Sequence, residues 1–162
     1  MDVIIIQNVK QYSLINLLKS FVKNVILDNI LPGDIYIKAR ELHFNNDVTR
    51  VVLLIRITEK NDVSVFDVIQ DLFPDKAKDF VININETDIA VVKQISNNTT
   101  AEELEKLAHA MEDKLKNELF IRSVIGFGTV AEHLRGLADS YKEAQTAIDV
   151  GKVFDTEKSM IN

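Results

Sequence analysis

The chain contains no cysteine and no tryptophan, and only five glycines and two prolines interrupt its 162 residues. Without cysteine it has no disulfide, no thiolate metal site and no cysteine nucleophile. No apolar run approaches the roughly 20 residues that a membrane-spanning helix needs. No basic segment precedes the short apolar run at residues 3–6, so the N-terminus is not a signal peptide. These absences predict a cytoplasmic protein without a membrane partner.

Positive charge is also scarce, because 19 lysines and arginines face 25 aspartates and glutamates, for a net charge of −6. Affinity for a nucleic-acid backbone depends mainly on basic side chains, so this chain is predicted to be a poor DNA binder by itself. A hydrophobic fraction of 46% and a charged fraction of 27% are typical of a folded globular protein. The length suffices for one domain with a core, plus an appendage.

The N-terminal part, residues 1–46, is predicted to contain a short strand at 3–6 followed by two helices. In the first helix, about 9–31, apolar residues recur at helical spacing and cover more than half of the circumference. Two interpretations stay open: a core helix of one domain, or a linker helix that pairs with its twin in a homodimer. The stripe of this candidate dimer helix consists of Leu14, Leu18, Phe21 and Val25.

The sequence Pro32-Gly33 breaks the first helix, and Asp34 is predicted to cap the second, which extends to about His43. From residue 47 to 162 strands and helices alternate. The predicted strands are 50–58, 80–84, 89–95 and 121–127, and the predicted helices follow a cap at Asp62, a capping box at Thr100 and Glu103, and a loop before Leu134.

The resulting order is βαββαβα, which predicts an α+β fold with an antiparallel sheet and helices on one of its faces. This order is typical of ferredoxin-like and nucleotidyl-cyclase-like domains. The N-terminal helical segment would precede that domain.

The most specific motif lies in the last third of the chain. An apolar strand ends in Gly126 and Gly128, and an amphipathic helix follows, with the motif residues Ser140, Tyr141, Glu143, Ala144, Ala147 and Gly151. The spacing places Tyr141 and Ala144 on the apolar face, which is typical of packing rather than catalysis. A third glycine, needed for a dinucleotide fingerprint, is absent, so the glycine pair is interpreted as a tight strand exit that requires backbone freedom.

This motif resembles the GGDEF-like middle domain of bacterial transcription regulators of the CdaR/PucR type, which control the use of sugar diacids and purines. The resemblance covers about residues 35–155 and is specific only in its last third. It implies a domain that forms homodimers and relays the state of an effector to a DNA-binding helix-turn-helix. The chain stops at Asn162, before such a module, so any DNA contact is expected only through a missing C-terminal part.

Active cyclases of this architecture hold Mg²⁺ with aspartates at the end of the first strand and use a glycine-rich hairpin turn. Here Arg56 and Thr58 stand where the two aspartates are expected, and the hairpin positions are Asn85, Glu86, Thr87 and Asp88. A guanidinium in place of a metal-binding carboxylate puts positive charge where a dication would lie. No catalytic residue, metal ligand or cofactor is therefore predicted, and the chain is not expected to be an enzyme.

The alternative function is a sensor domain that binds a small molecule or nucleotide itself. Arg50 and Arg56 on the first strand could receive a carboxylate or phosphate through bidentate hydrogen bonds. They would share one face of the sheet only if the strand is regular throughout.

Overall fold

The structure, a computed structural model, describes residues 3–59, 62–154 and 160–161, and side chains at residues 10, 13–59 and 62–151. Its elements are α1 (Val3–Ile26), α2 (Pro32–Glu41), β1 (Arg50–Ile57), α3 (Val63–Gln70), β2 (Phe80–Asn83), β3 (Asp88–Gln94), α4 (Ala101–Leu119), β4 (Ser123–Phe127), α5 (Leu137–Phe154) and β5 (Met160–Ile161). From β1 to α5 this is the predicted βαββαβα order, and the α+β class is confirmed.

The strands form one sheet in the order β2-β3-β1-β4-β5. Each neighbouring pair among the first four strands is antiparallel, while β5 pairs in parallel with β4 at Ile125 and Gly126. The central strand β1 therefore has a neighbouring strand on each side, β3 and β4. The sequence did not predict β5, whose two residues carry no periodic signal.

Helices cover both faces of the sheet, and the prediction that they lie on one face is wrong. Val52 and Leu54 of β1 face a core formed with α1, α2 and α5, whereas Val51, Leu53 and Ile55 face a second core formed with α3 and α4. The reason is visible in β1 itself, because a run of aliphatic residues without polar alternation is typical of a strand that is buried on both sides.

The beginning of the chain is helical, so the predicted strand at residues 3–6 is also wrong. No glycine or proline interrupts the chain before Pro32, and a helix that has formed extends at one hydrogen bond per added residue. Because α1 and α2 contribute to the same core as α5, no gap in packing marks residue 46. The division into 1–46 and 47–162 stays a prediction.

The helix ends follow local signals, with one correction. Asp62 caps α3 by accepting from the Val65 backbone N–H at 3.2 Å, and Thr100 caps α4 through the Glu103 N–H at 3.1 Å, as predicted. Asp34, in contrast, does not cap α2, because Pro32 is already its first residue and Leu31 holds the cap position. Proline is favoured there since the first helical N–H has no partner to lose.

Within the part of the chain that the structure describes, no helix is both long and apolar enough to cross a membrane.

Candidate functional site

Two residues from the expected cyclase positions pair with each other across the sheet. Arg56, near the end of β1, lies opposite Asp88, the first residue of β3. The Arg56 guanidinium donates through Nε and Nη2 to the two carboxylate oxygens of Asp88, at 2.9 and 3.0 Å. This is a bidentate, charge-assisted pair, and only 4% of the Asp88 side chain is exposed.

A third charged group comes from the last helix. Nη1 of Arg56 donates to Oδ1 of Asp149 on α5 at 2.9 Å. The hydrogen bonds to Asp88, and secondarily those to Asp149, raise the pKa of the Arg56 guanidinium further above its ordinary value, although burial opposes the rise. One permanently charged side chain therefore connects the central strand, the β2–β3 hairpin and α5. We call Arg56, Asp88 and Asp149 the charge cluster.

The charge cluster does not fit a divalent cation. Magnesium requires oxygen ligands that are free to coordinate it, yet both oxygens of Asp88 already accept from Arg56, and Thr87 Oγ1 donates to Asp88 as well, at 3.0 Å. Thr58, at the second expected metal position, is exposed just beyond β1. Across the described residues, no group of three or more histidines, aspartates or glutamates is placed to hold a metal ion.

The β2–β3 turn contains no glycine and is held by hydrogen bonds. Its anchor is the side-chain oxygen of Asn85, which accepts from the backbone N–H groups of Thr87 and Asp88, each at 2.9 Å. The Thr87 carbonyl in turn accepts from the N–H of Ile57 at 2.9 Å, which ties the turn to the end of β1. Glu86 lies exposed at the tip. The hydrogen bonds of the Asn85 side chain thus shape this turn, whereas the hairpin turn of an active cyclase depends on glycines.

The glycine pair of the motif lets α5 approach the sheet. A Cβ atom on Gly126 would overlap the Ala144 backbone carbonyl and lie 2.8 Å from Cγ1 of Ile148, and one on Gly128 would overlap the backbone and Oγ of Ser140. Neither glycine has a positive φ. The interpretation of the pair as a strand exit that needs backbone freedom is therefore wrong: the requirement is space, not conformation.

Ser140 has a specific structural role. Its hydroxyl oxygen accepts from the backbone N–H of Val52 at 3.1 Å, and the residue is fully buried. At this point β4 has ended, since Phe127 pairs with Leu53 and the next residue, Gly128, donates to the Val52 carbonyl. Ser140 thus provides an acceptor for the Val52 N–H of β1 at a point where β4 no longer provides one.

The remaining motif residues also hold α5 and its surroundings in place. Glu143 accepts from the Thr129 N–H at 2.9 Å and so fixes the loop after β4. The ring of Tyr141 is buried, and its hydroxyl accepts from Gln145 at 3.3 Å. Burial raises the pKa of Tyr141, and the charge of Asp88 raises it further. The small residues of the motif on this helix are Ala144 and Gly151, which are buried, and Ala147, which is partly buried.

The candidate dimer stripe lies mostly inside the chain's own core. Leu18, Phe21 and Val25 are between 1% and 8% exposed, whereas Leu14 is 46% exposed. The interpretation as a core helix is therefore correct for Leu18, Phe21 and Val25, which are too buried to contact a second copy of the chain. Among the residues of α1 whose side chains the structure describes, the large apolar ones that are exposed are Leu14 and Leu17.

Arg50 and Arg56 do not converge on one ligand. They do share a face of β1, because the register is regular from one to the other, but six residues of extended chain separate them by about 20 Å. Arg50 is buried: its guanidinium lies 4.4 Å from the centroid of the Phe44 ring and donates to the Asn45 carbonyl at 3.0 Å. Burial lowers the pKa of Arg50 to about 10, so it remains charged at neutral pH.

Sequence reasoning identified Arg56 and Asp88 but missed that they bind each other, and it missed Asp149 entirely. The only available signal was that an arginine and an aspartate end two strands that a hairpin brings side by side. Asp149 gave no signal, since an exposed aspartate late in a helix is ordinary.

Comparison with known proteins identifies the domain. The family model of the GGDEF-like domain matches residues 29–150, about three quarters of the chain. No curated protein shows significant sequence similarity to this chain. The match includes β1, the β2–β3 hairpin with Asp88, and the motif helix with Asp149, so the whole charge cluster lies within it. The chain belongs to the GGDEF-like domain family.

Proposed function

We propose that this chain is a non-catalytic regulatory domain of a bacterial transcription regulator of the CdaR/PucR type. In this role it dimerises and relays the state of an effector to a downstream helix-turn-helix. The resemblance of the motif from Gly126 to Gly151 favours that family among proteins with GGDEF-like domains.

The observation that carries the non-catalytic role is the pairing of Arg56 with Asp88. Catalysis of nucleotide cyclisation needs a metal ion at this end of β1, and the guanidinium takes the place of the cation while it engages both oxygens of the remaining carboxylate. A site whose charges already neutralise each other has little left to offer a metal–triphosphate complex.

The contact between Arg56 and Asp149 supports the relay. Asp149 lies in the second half of α5, little more than one turn before the helix ends at Phe154. Any change at the β2–β3 hairpin that displaces Asp88 would alter the partner set of Arg56 and thereby its hold on Asp149. We propose that the domain communicates in this way with a helix-turn-helix located C-terminal to α5.

Exposed apolar side chains on α1 and α2 support dimerisation. Leu17 and Ile37 are each 57% exposed and line a groove of about 610 Å³ between the two helices. Leu14, Leu31 and Tyr36 are also at least 46% exposed. Several large exposed apolar side chains on neighbouring helices are a common feature of an interaction surface.

Light scattering coupled to size exclusion tests the dimer. We expect the mass of a dimer at high micromolar concentration and a monomer for Leu17→Glu. Val130 is a comparable exposed apolar residue in the loop after β4, 52% exposed, so Val130→Glu is the matched control and should remain dimeric. A wild-type protein that stays monomeric throughout would remove dimerisation from the proposal.

Incubation with GTP or ATP and Mg²⁺ tests the non-catalytic role. We expect no cyclic product. Product that forms with the wild type and disappears with Asp88→Ala would overturn this part of the proposal. The codons after Asn162 in the parent gene test the regulator context, for which a helix-turn-helix is expected.

A further inference from the structure

An apolar groove of about 640 Å³ lies at the β4 edge of the sheet, between α4 and α5. Phe127 and Gly128, at the end of β4, line it together with Leu104 of α4 and Val150 of α5. Val150 is 46% exposed. The groove shares no residue with the charge cluster or with the groove between α1 and α2, so it is a separate surface of the domain.

The polar side chains of this groove are mostly engaged within the protein. Glu143 accepts from the Thr129 N–H at 2.9 Å, and the Thr146 hydroxyl donates to the Lys142 carbonyl at 2.9 Å. Among the other lining residues, only Thr129 has a polar side chain. Because the remaining surface is apolar, the groove is suited to apolar side chains that would otherwise lie in water.

The direction of β5 leads into this groove. β5 pairs in parallel with β4, where Met160 lies opposite Ile125 and the following residue lies opposite Gly126. Both strands therefore run toward the end of β4 at Phe127. A strand that continues in the same register comes to lie beside Phe127, which lines the groove.

The end of β4 presents a backbone acceptor to such a strand. Gly128 donates its N–H to the Val52 carbonyl of β1 at 2.9 Å. Since consecutive residues of a strand direct their backbone groups to opposite sides, the Phe127 carbonyl points away from β1, toward the edge where β5 pairs. The Thr129 N–H already has its acceptor in Glu143. The ladder can therefore gain one hydrogen bond at Phe127, after which the segment lies against the helices.

We propose that this groove docks the polypeptide segment that follows β5 in the parent protein. The segment extends the parallel pairing on β4 and places an apolar side chain between α4 and α5. In strand addition of this kind, main-chain hydrogen bonds give affinity and pockets for side chains give specificity.

This inference rests on the proposed function, because it assumes that a helix-turn-helix follows the domain, and it adds the contact that holds the connecting segment. The segment contacts α5 at Val150, directly after Asp149 of the charge cluster. A displacement of α5 at Asp149 is thereby passed to the segment that leads to the DNA-binding module.

NMR spectroscopy of two extended versions of the chain tests the docking. One version carries the segment that the parent gene encodes after Asn162, about ten residues or roughly 33 Å of extended chain, and the other carries a glycine-serine tail of the same length. We expect nuclear Overhauser contacts from the native segment to Phe127, and shifted Phe127 and Val150 amides, in the first version alone. Identical spectra of the domain in both versions would overturn the inference.

The outcomes separate this inference from the proposed function. A native segment that stays unbound, although a helix-turn-helix is encoded beyond it, overturns the inference alone. A stop codon directly after Asn162 would remove the helix-turn-helix and the inference together. Neither outcome depends on whether the domain forms dimers.

Val150→Glu in the version with the native segment tests the place of docking. It puts a carboxylate at a partly exposed position of the groove, where a docked apolar side chain would desolvate it at a cost. The contacts to Phe127 should disappear, and amide hydrogen exchange in the segment should become at least about tenfold faster. Val63→Glu, at a 75% exposed position that begins α3, is the matched control and should dock like the wild type. Contacts that persist unchanged in Val150→Glu would contradict docking in this groove.

Discussion

Arg56 binds both carboxylate oxygens of Asp88, a residue 32 positions later in the chain, at 2.9 and 3.0 Å. The two face each other in register across β1 and β3. Because strand residues opposite each other have close Cβ atoms, the sheet itself aligns the pair. The Arg56 guanidinium thus neutralises the buried carboxylate of Asp88 at the position where an active cyclase is expected to carry a metal-binding aspartate.

Breaking this pair from either side should destabilise the domain. Asp88→Ala leaves a partly buried guanidinium with one exposed partner, and Arg56→Met leaves a buried carboxylate without a cation. We expect each to lower the free energy of unfolding by about 3 kcal/mol, as is typical when one partner of a buried ion pair is removed. Urea denaturation at pH 7 gives the measurement.

Asp149→Ala is the matched control, since the side chain of Asp149 is 66% exposed and exposed ion pairs contribute less than about 1 kcal/mol. A double substitution of Arg56 and Asp88 should cost less than the sum of the two single ones. Additive effects would mean that the two side chains do not stabilise each other.

Alanine at Gly126 or Gly128 should prevent close packing of α5. The added methyl group would overlap backbone atoms of Ala144 or Ser140, which cannot move as a flexible side chain can. We expect a loss of at least about 3 kcal/mol, at the upper end of the cost of overpacking, read from thermal or urea unfolding.

Gly33→Ala is the comparison for these variants, because a Cβ atom there meets nothing within 4 Å and the position is helical. It should stabilise the protein by about 0.5–1 kcal/mol. If Gly126→Ala were as well tolerated as Gly33→Ala, the close approach of α5 to β4 would be incorrect.

Ser140→Ala should leave the Val52 N–H buried without an acceptor. The expected cost is about 1–3 kcal/mol, the penalty for an unsatisfied buried donor. In hydrogen exchange the Val52 amide should lose protection. Thr146→Ala removes an exposed hydroxyl of the same helix that donates to the Lys142 carbonyl, and it should change stability by less than about 0.5 kcal/mol.

The stability of the domain should fall in alkaline solution through Tyr141. Its pKa in the folded state is raised above the ordinary value of 10.0, so the unfolded chain loses this proton first as the pH increases. The contribution is therefore fully present below pH 10 and is lost as the pH rises from there through the folded pKa.

Tyr141→Phe cannot ionise and isolates the effect. The difference in unfolding free energy between the wild type and this variant should be constant from about pH 7 to 10. Above that pH the wild type should lose stability relative to the variant. Other titrating groups cancel in that difference. A difference that stays level up to about pH 11.5 would contradict a raised pKa.

Helix and strand positions could be predicted because their signals are local. The apolar spacing of α4 and its cap at Thr100 lie within one segment, and the structure confirms both. The two local predictions that are wrong, the strand at residues 3–6 and the cap at Asp34, share one cause. Residues 3–6 are apolar enough for a strand or a helix, and Pro32 is compatible both with the end of one helix and with the first position of the next. Which state forms there depends on neighbours that the local pattern does not contain.

Two of the three positions in the charge cluster were predictable, but Asp149 and the arrangement of the three side chains were not. Arg56 and Asp88 could be found because they stand where a family motif expects other residues. Ser140 was identified as a motif residue, yet its partner Val52 lies 88 positions away, and no periodicity links the two.

The sequence by itself determined the element order from β1 to α5, the α+β class and the GGDEF-like family, since these depend on hydrophobic period, caps and one contiguous motif. Only the tertiary structure decided that both faces of the sheet are covered, that the glycines make room for α5, and that three distant charges meet at Arg56. Pairings of this kind depend on the strand register and on how closely a helix approaches the sheet, and many distant residues set both of these together.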